Sequence, residues 1–220
     1  METLFSTETQ AVMQFPQSLT DAYKPQTLDD SRWCGLEKQR RILSNLAAQV
    51  RLGSVVLLEG PPGVGKTSLA FAFSRSIPGG CEVFHISSQQ ANIATLQEAE
   101  RRFSYVPMAA KFHCLIVDEI AESSNAFQLA CLSKFDGTAP MNCVTVMTCN
   151  DSSRLEPKFL SRCVRPPVCN AYGASKSLKN LMQNIWRERA GNAPEPDWTR
   201  VPTSCPRESL NWLECELLAV

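Results

Sequence analysis

Residues 60–67 read GPPGVGKT and fit the pattern G-x-x-x-x-G-K-[ST] at every position: Gly60, Pro61, Pro62, Gly63, Val64, Gly65, Lys66 and Thr67, with Ser68 following. The apolar run SVVLLE (54–59) precedes the stretch, and SLAFAFSRS (68–76) follows it. No other feature of the chain restricts its fold as tightly. A strand has to end, the backbone has to turn through glycine, and a helix has to begin at the turn. Glycines let successive N–H groups point inward around phosphate oxygens. The helix that follows adds its N-terminal dipole. Lys66 is then placed to reach β- and γ-phosphates, and Thr67 to ligand Mg²⁺.

The rest of the chain alternates in the same rhythm. GLEKQRRILSNLAAQV (35–50) sets Leu36, Ile42, Leu43, Leu46 and Val50 at roughly helical spacing. The runs 54–59 and 112–119 predict buried strands, 142–150 predicts a further strong strand, and 81–87 is a strand candidate. Helices are predicted over 68–76, 91–103 and 126–135, with a short one in EPKFLSR. CVRPPV (163–168) resembles an edge strand limited by its prolines. Strands separated by helices argue for a parallel α/β sheet covered on both faces. Beyond about residue 171 the pattern changes to amphipathic helices over 174–191 and 207–219. The expected organisation is therefore a flexible arm over 1–21, an α/β core over 22–170 and a short helical lid over 171–220.

Composition excludes some functions. The 22 Lys plus Arg balance the 22 Asp plus Glu, so binding to nucleic acid or membrane would need a local basic patch. The 10 cysteines form no CxxC pair, which disfavours a zinc ribbon. Several lie in apolar runs and read as free thiols in a reducing compartment. No run approaches the length of a membrane helix. The expected location is cytoplasmic, or nucleoid or nuclear, with no membrane partner.

Two further strand ends carry chemistry. CLIVDE (114–119) delivers Asp118 and Glu119 to the carboxyl edge of the sheet, where open α/β sheets bind ligands. Asp118 is placed to hold Mg²⁺ through its water shell. Glu119 is placed to polarise an attacking water as general base. TCN (148–150) ends the next strand, so Asn150 emerges beside the acids and can orient water without adding charge.

Together these residues resemble the AAA+ ATPases, a P-loop NTPase fold, and most closely the clamp-loader small subunits. AYKPQTLDD (22–30) is similar to the segment that opens those subunits, and RWCGLEKQRRIL (32–43) to the turn and helix after it. The resemblance implies that Tyr23 and Pro25 lie against the adenine. SSRLEPKFLSRC (152–163) is similar to the family's segment with its Ser-Arg-Cys signature. By that resemblance Arg162 is an arginine finger acting in a neighbouring subunit's site. CPRESLNWLE (205–214) resembles the sensor-2 element, which places Arg207 on the nucleotide from within the same chain. The sequence shows neither the family's collar-forming helical domain nor a zinc module, and its lid reads as short.

The resemblance implies Mg·ATP hydrolysis at interfaces of a homo- or hetero-oligomer of AAA+ subunits. It also implies action on DNA, together with a DNA-associated protein, in replication, repair or mobile-element maintenance. Lys66, Glu119, Asn150 and Arg162 would be catalytic, while Thr67 and Asp118 would hold the metal. Lys111, Lys134, Arg101 and Arg102 are candidates for DNA backbone contacts. A protein remodeller is the alternative, although RRFSYVPM (101–108) lacks the aromatic-hydrophobic-Gly pattern of a pore loop. A nucleotide-switched scaffold is a further one.

Overall fold

A computed structural model describes residues 17–49, 53–134, 142–170, 175–202 and 205–219. Its strands are β1 (Val55–Glu59), β2 (Cys81–Ile86), β3 (Phe112–Val117) and β4 (Cys143–Cys149). Its helices are α1 (Leu19–Ala22), α2 (Glu37–Gln49), α3 (Lys66–Ser76), α4 (Ile93–Phe103), α5 (Asn125–Lys134), α6 (Pro157–Leu160), α7 (Ser175–Arg189) and α8 (Pro206–Leu218). Among the described residues the strands pair in parallel in the order β1-β4-β3-β2.

That order positions the site. β4 is inserted between β1 and β3, with Leu57 and Val117 both opposite Met147. The carboxyl ends of three strands therefore stand side by side, carrying the phosphate loop, Asn150 and the acidic pair. β1, β3 and β4 are almost wholly buried because both of their faces are covered, whereas β2 stands at the edge of the sheet with Glu82 and His85 exposed. Val56, Leu58, Cys114, Ile116, Val144 and Val146 pack on one side with Leu43, Leu69 and Phe73. Val55, Leu57, Leu115, Val117 and Met147 pack on the other with Phe103 and Phe127.

The expected edge strand at 163–168 shrinks to one bridge. Val164 pairs in parallel with Val56, its N–H donating to Val55 O at 2.7 Å and its carbonyl accepting from Leu57 N at 3.0 Å. Pro166 and Pro167 have no N–H to continue the ladder.

The lid consists of α7 and α8 around Leu178, Met182, Ile185, Trp186, Leu210 and Leu213. Between the helices, Trp198 in a short turn packs near both Trp186 and Trp212. The flexible arm expected over 1–21 does not extend to residues 19–21, which open α1, where Ser18 caps the helix by accepting the N–H of Asp21. Leu19 is buried in the lid cluster, and Thr20 Oγ1 donates to Asn211 Oδ1 at 3.2 Å. A long-range apolar contact thus orders a stretch too polar to show a helical period. Residues 1–16 of the expected arm, and Val50 of the expected α2 pattern, lie outside the described residues.

Candidate nucleotide site

The phosphate loop ends on Gly65, which caps α3 in the left-handed region at φ 97°. Lys66 opens the helix with only 7% of its surface exposed. All three ammonium protons have acceptors: Gly60 O at 2.7 Å, Pro61 O at 2.9 Å and Asn150 Oδ1 at 2.8 Å. Burial lowers the Lys66 pKa, while the carboxylates of Glu119 and Asp118 oppose that shift. Two of the glycines are required by close approach. A Cβ on Gly60 would strike the Cys169 carbonyl, and one on Gly63 would lie 2.5 Å from Cys205 Sγ in the lid.

Asp118 follows β3 and is held from three sides. Its Oδ1 accepts Thr67 Oγ1 at 2.9 Å and Thr148 Oγ1 at 2.8 Å, and its Oδ2 lies 3.3 Å from His85 Nε2. Glu119 takes a left-handed backbone, φ 51°. A non-glycine residue in that region carries about 1–3 kcal/mol of strain, a device found at functional sites. The Glu119 N–H donates to Thr148 Oγ1 at 3.0 Å, and Asn150 Nδ2 approaches Glu119 Oε1 at 3.5 Å. Asn150 therefore links the Lys66 ammonium to the Glu119 carboxylate.

These groups line a cavity of about 210 Å³ that includes Lys66, Thr67, Asp118, Glu119, Asn150 and Arg207. A second cavity of about 300 Å³ adjoins it, walled by Tyr23, Pro25, Trp33, Val64, Leu181 and Leu210. Gly63, Gly65, Thr67, Ser68, Asp118 and Arg207 line both, so the two are parts of one cleft. The smaller part is polar and suits phosphates. The larger is flanked by aromatic and aliphatic side chains and suits a nucleoside. Pro62 also lines the smaller part.

The signature of the "ATPase family associated with various cellular activities (AAA)" matches residues 56–166. The chain belongs to the AAA ATPase family. It is 30% identical over 165 residues to replication factor C subunit 4 of Caenorhabditis elegans, a match covering 66% of this chain and 46% of that protein. It is 29% identical over 177 residues to the replication factor C small subunit of Methanocella arvoryzae, covering 75% of this chain and 52% of that one. The chain thus spans about half the length of these relatives. RuvB of Thermotoga maritima shares the fold, with a TM-score of 0.69 at 19% identity, over 87% of this chain and 64% of that one.

In this AAA chain the sequence-read site residues line the cleft, except Gly60 and Pro61, whose carbonyls hold Lys66 behind it, and Arg162. Arg162 stands on the exposed turn after α6, where its Nη1 donates to Lys158 O at 2.7 Å. Tyr23 lines the nucleoside part and also ties down the lid. Its hydroxyl donates to Glu188 Oε2 at 2.8 Å, and the Arg189 guanidinium lies 5.9 Å from its ring. Of the basic candidates, Arg102 is engaged by Glu98 at 2.7 Å and lies over the Phe84 ring. The side chain of Lys134 lies outside the described residues.

Several neighbours escaped the sequence reading. Thr148 and His85 sit inside predicted strands, and only the sheet order brings them to Asp118. Glu59 closes β1 immediately before Gly60. Its Oε1 accepts the Ser152 N–H at 3.1 Å, and its Oε2 accepts Arg165 Nη2 at 3.1 Å. Burial pushes the Glu59 carboxyl up, but the Ser152 bonds and Arg165 outweigh it, and the net shift is downward. Arg165 also reaches Ser152 Oγ at 3.0 Å. This junction joins the phosphate loop, the turn after Asn150 and the segment after Arg162. The signal for it was a lone acid ending an apolar strand. No helix among the described residues is long and apolar enough to cross a membrane.

Proposed function

We propose that this chain binds Mg·ATP in the cleft and hydrolyses it at an interface with a neighbouring AAA+ subunit. Its role would be that of a clamp-loader-like ATPase acting on DNA. One observation carries the reading: Lys66, Thr67, Asp118, Glu119 and Asn150 converge at adjacent strand ends, with Arg207 facing them from the lid.

Each group has a task that suits its chemistry. The carbonyls that hold Lys66 are neutral, so an anionic phosphate would compete well for its protons. Thr67 Oγ1 and Asp118 Oδ1 lie 2.9 Å apart as hard oxygen donors, a set that fits Mg²⁺. When bound, that ion supplies positive charge against the phosphate oxygens. Glu119 would accept the proton of the attacking water, and Asn150 would orient that water. Arg207 would neutralise phosphate charge from the lid. Arg162 would serve the neighbour's site in trans.

The case for DNA rests on the likeness to replication factor C subunits. The experiment measures ATP hydrolysis and DNA binding by the purified chain. ATP hydrolysis slowed by about 10²-fold or more in Glu119→Gln supports the catalytic assignment, and equal rates for variant and wild type sink it. DNA binding that weakens with salt and strengthens with a non-hydrolysable ATP analogue supports the client. No binding at low salt with that analogue removes DNA from the reading.

A further inference from the structure

We infer that His85 is a positioning residue for the metal half of this site: by donating to Asp118 it fixes the carboxylate that Thr67 faces. The inference rests on the reading of Thr67 and Asp118 as the residues that hold Mg²⁺ with ATP.

The geometry begins in the sheet. The N–H of Asp118 donates to Ile86 O at 2.9 Å, which ties the residue after β3 to the last residue of β2. His85, next to Ile86, thereby reaches Asp118 across the strand ends, with Nε2 3.3 Å from Oδ2. An ionised carboxylate only accepts, so Nε2 carries the proton. The two hydroxyl bonds from Thr67 and Thr148 both fall on Oδ1. The last torsion of an aspartate is soft and nearly two-fold. With both bonds on one oxygen the carboxylate can still swing, and His85 holds the other oxygen.

The imidazole is itself held. It packs edge-on against Phe71 of α3, with ring centroids 5.3 Å apart, and Lys24 Nζ lies 5.5 Å from the Phe71 centroid. The helix that leaves the phosphate loop therefore fixes the ring that fixes Asp118. A purely structural role fits less well. The His85 side chain is 36% exposed, so water could satisfy its N–H, and such an exposed pair adds little stability. Orientation of the acid is what remains for it to supply. Residues that hold a metal-binding carboxylate in this way typically raise metal affinity by about 10–100-fold.

The experiment titrates Mg²⁺ into the full chain with a fluorescent ATP analogue and repeats the binding in EDTA. His85→Phe keeps a ring on Phe71 and removes the donor. His85→Gln restores a side-chain N–H. The expected result is equal nucleotide binding in EDTA for all three proteins. The Phe variant should need about tenfold more Mg²⁺ for half-saturation, and the Gln variant should recover most of that loss. An unchanged half-saturation in a Phe variant that melts like wild type overturns the inference. So does a Phe variant that loses binding equally with and without Mg²⁺, because that is a structural effect. Should wild-type binding be indifferent to Mg²⁺, the assignment of Thr67 and Asp118 falls, and this inference falls with it.

Discussion

The cleft and the Arg162 turn belong to one proposed reaction, yet they are built in opposite ways. Lys66, Thr67 and Asp118 are locked by bonds of 2.7–2.9 Å between groups on strand ends and a helix start. Arg162 stands on an exposed turn after a four-residue helix, bonded to a carbonyl of that same helix. Around it the ion pairs Lys158–Glu156 and Arg154–Glu122 are also exposed. Groups that act within the chain can be preorganised before ATP arrives, so little rearrangement opposes the reaction. A group meant for another subunit gains from a surface bond that is weak enough to exchange.

Several variants can break this contrast, and the largest effect belongs to Arg162. Arg162→Ala should lower kcat by about 10³-fold or more while leaving nucleotide affinity unchanged. Mixed with Lys66→Ala, which lacks a working phosphate loop but keeps its arginine, it should recover part of the wild-type rate. No recovery would mean that Arg162 does not serve a neighbour. Glu119→Gln should cost about 10²–10⁴-fold in kcat with ATP still bound, and mixing with Arg162→Ala distinguishes the acid from the arginine as separate halves of one site. Glu59 and Arg165 connect the two regions. Glu59→Gln or Arg165→Met should each lower kcat by about tenfold with little change in binding, and the double variant should be no worse than the worse single one, because the two share one junction. Additive losses would show that the junction does not link them.

What the sequence disclosed follows from how local each signal is. The phosphate loop is contiguous, so its glycines, Lys66 and Thr67 could be read directly. β1, β3 and β4 could be read because burial on both faces leaves largely apolar runs, while β2, at the sheet edge, gave a weaker signal broken by Glu82 and His85. The order β1-β4-β3-β2 is set by non-local pairing, and with it went the meeting of Thr148 and His85 at Asp118. Leu19 was hidden for the same reason, since most of the cluster that buries it lies more than a hundred residues away in the lid. The left-handed turn at Glu119 has no glycine to announce it. Arg162 looks like any surface arginine, and only the resemblance of its flanking segment gave it a role.

The smallest expected effect tests whether the fixed side of the contrast depends on charge at its outer wall. Asp30 accepts from Arg32 N and Nε at 2.9 Å on one oxygen, and from Arg32 Nη2 at 2.6 Å and Gln26 N at 2.9 Å on the other. The Arg32 bonds hold its carboxyl well below the usual carboxylate range, against the upward push of burial. The turn so closed carries Trp33, whose Nε1 donates to Thr27 O at 2.7 Å and whose ring walls the nucleoside part. The sign follows from linkage. A carboxyl with a depressed folded pKa stabilises the fold above its unfolded value near 4, and that contribution fades as pH falls below it. Asp30→Asn should therefore destabilise the chain by about 1 kcal/mol at neutral pH, the scale of a partly screened charged hydrogen bond. Thermal melts should show the gap to wild type narrowing as the pH is lowered from about 5 toward 3. Arg162→Ala, melted alongside, should lose little stability at any pH, since its side chain is exposed and exposed charges contribute little. A pH-independent gap for Asp30→Asn would mean that shape rather than charge closes the turn. A stability loss in Arg162→Ala would mean that the arginine supports its own subunit, and the contrast between the two regions would then fail.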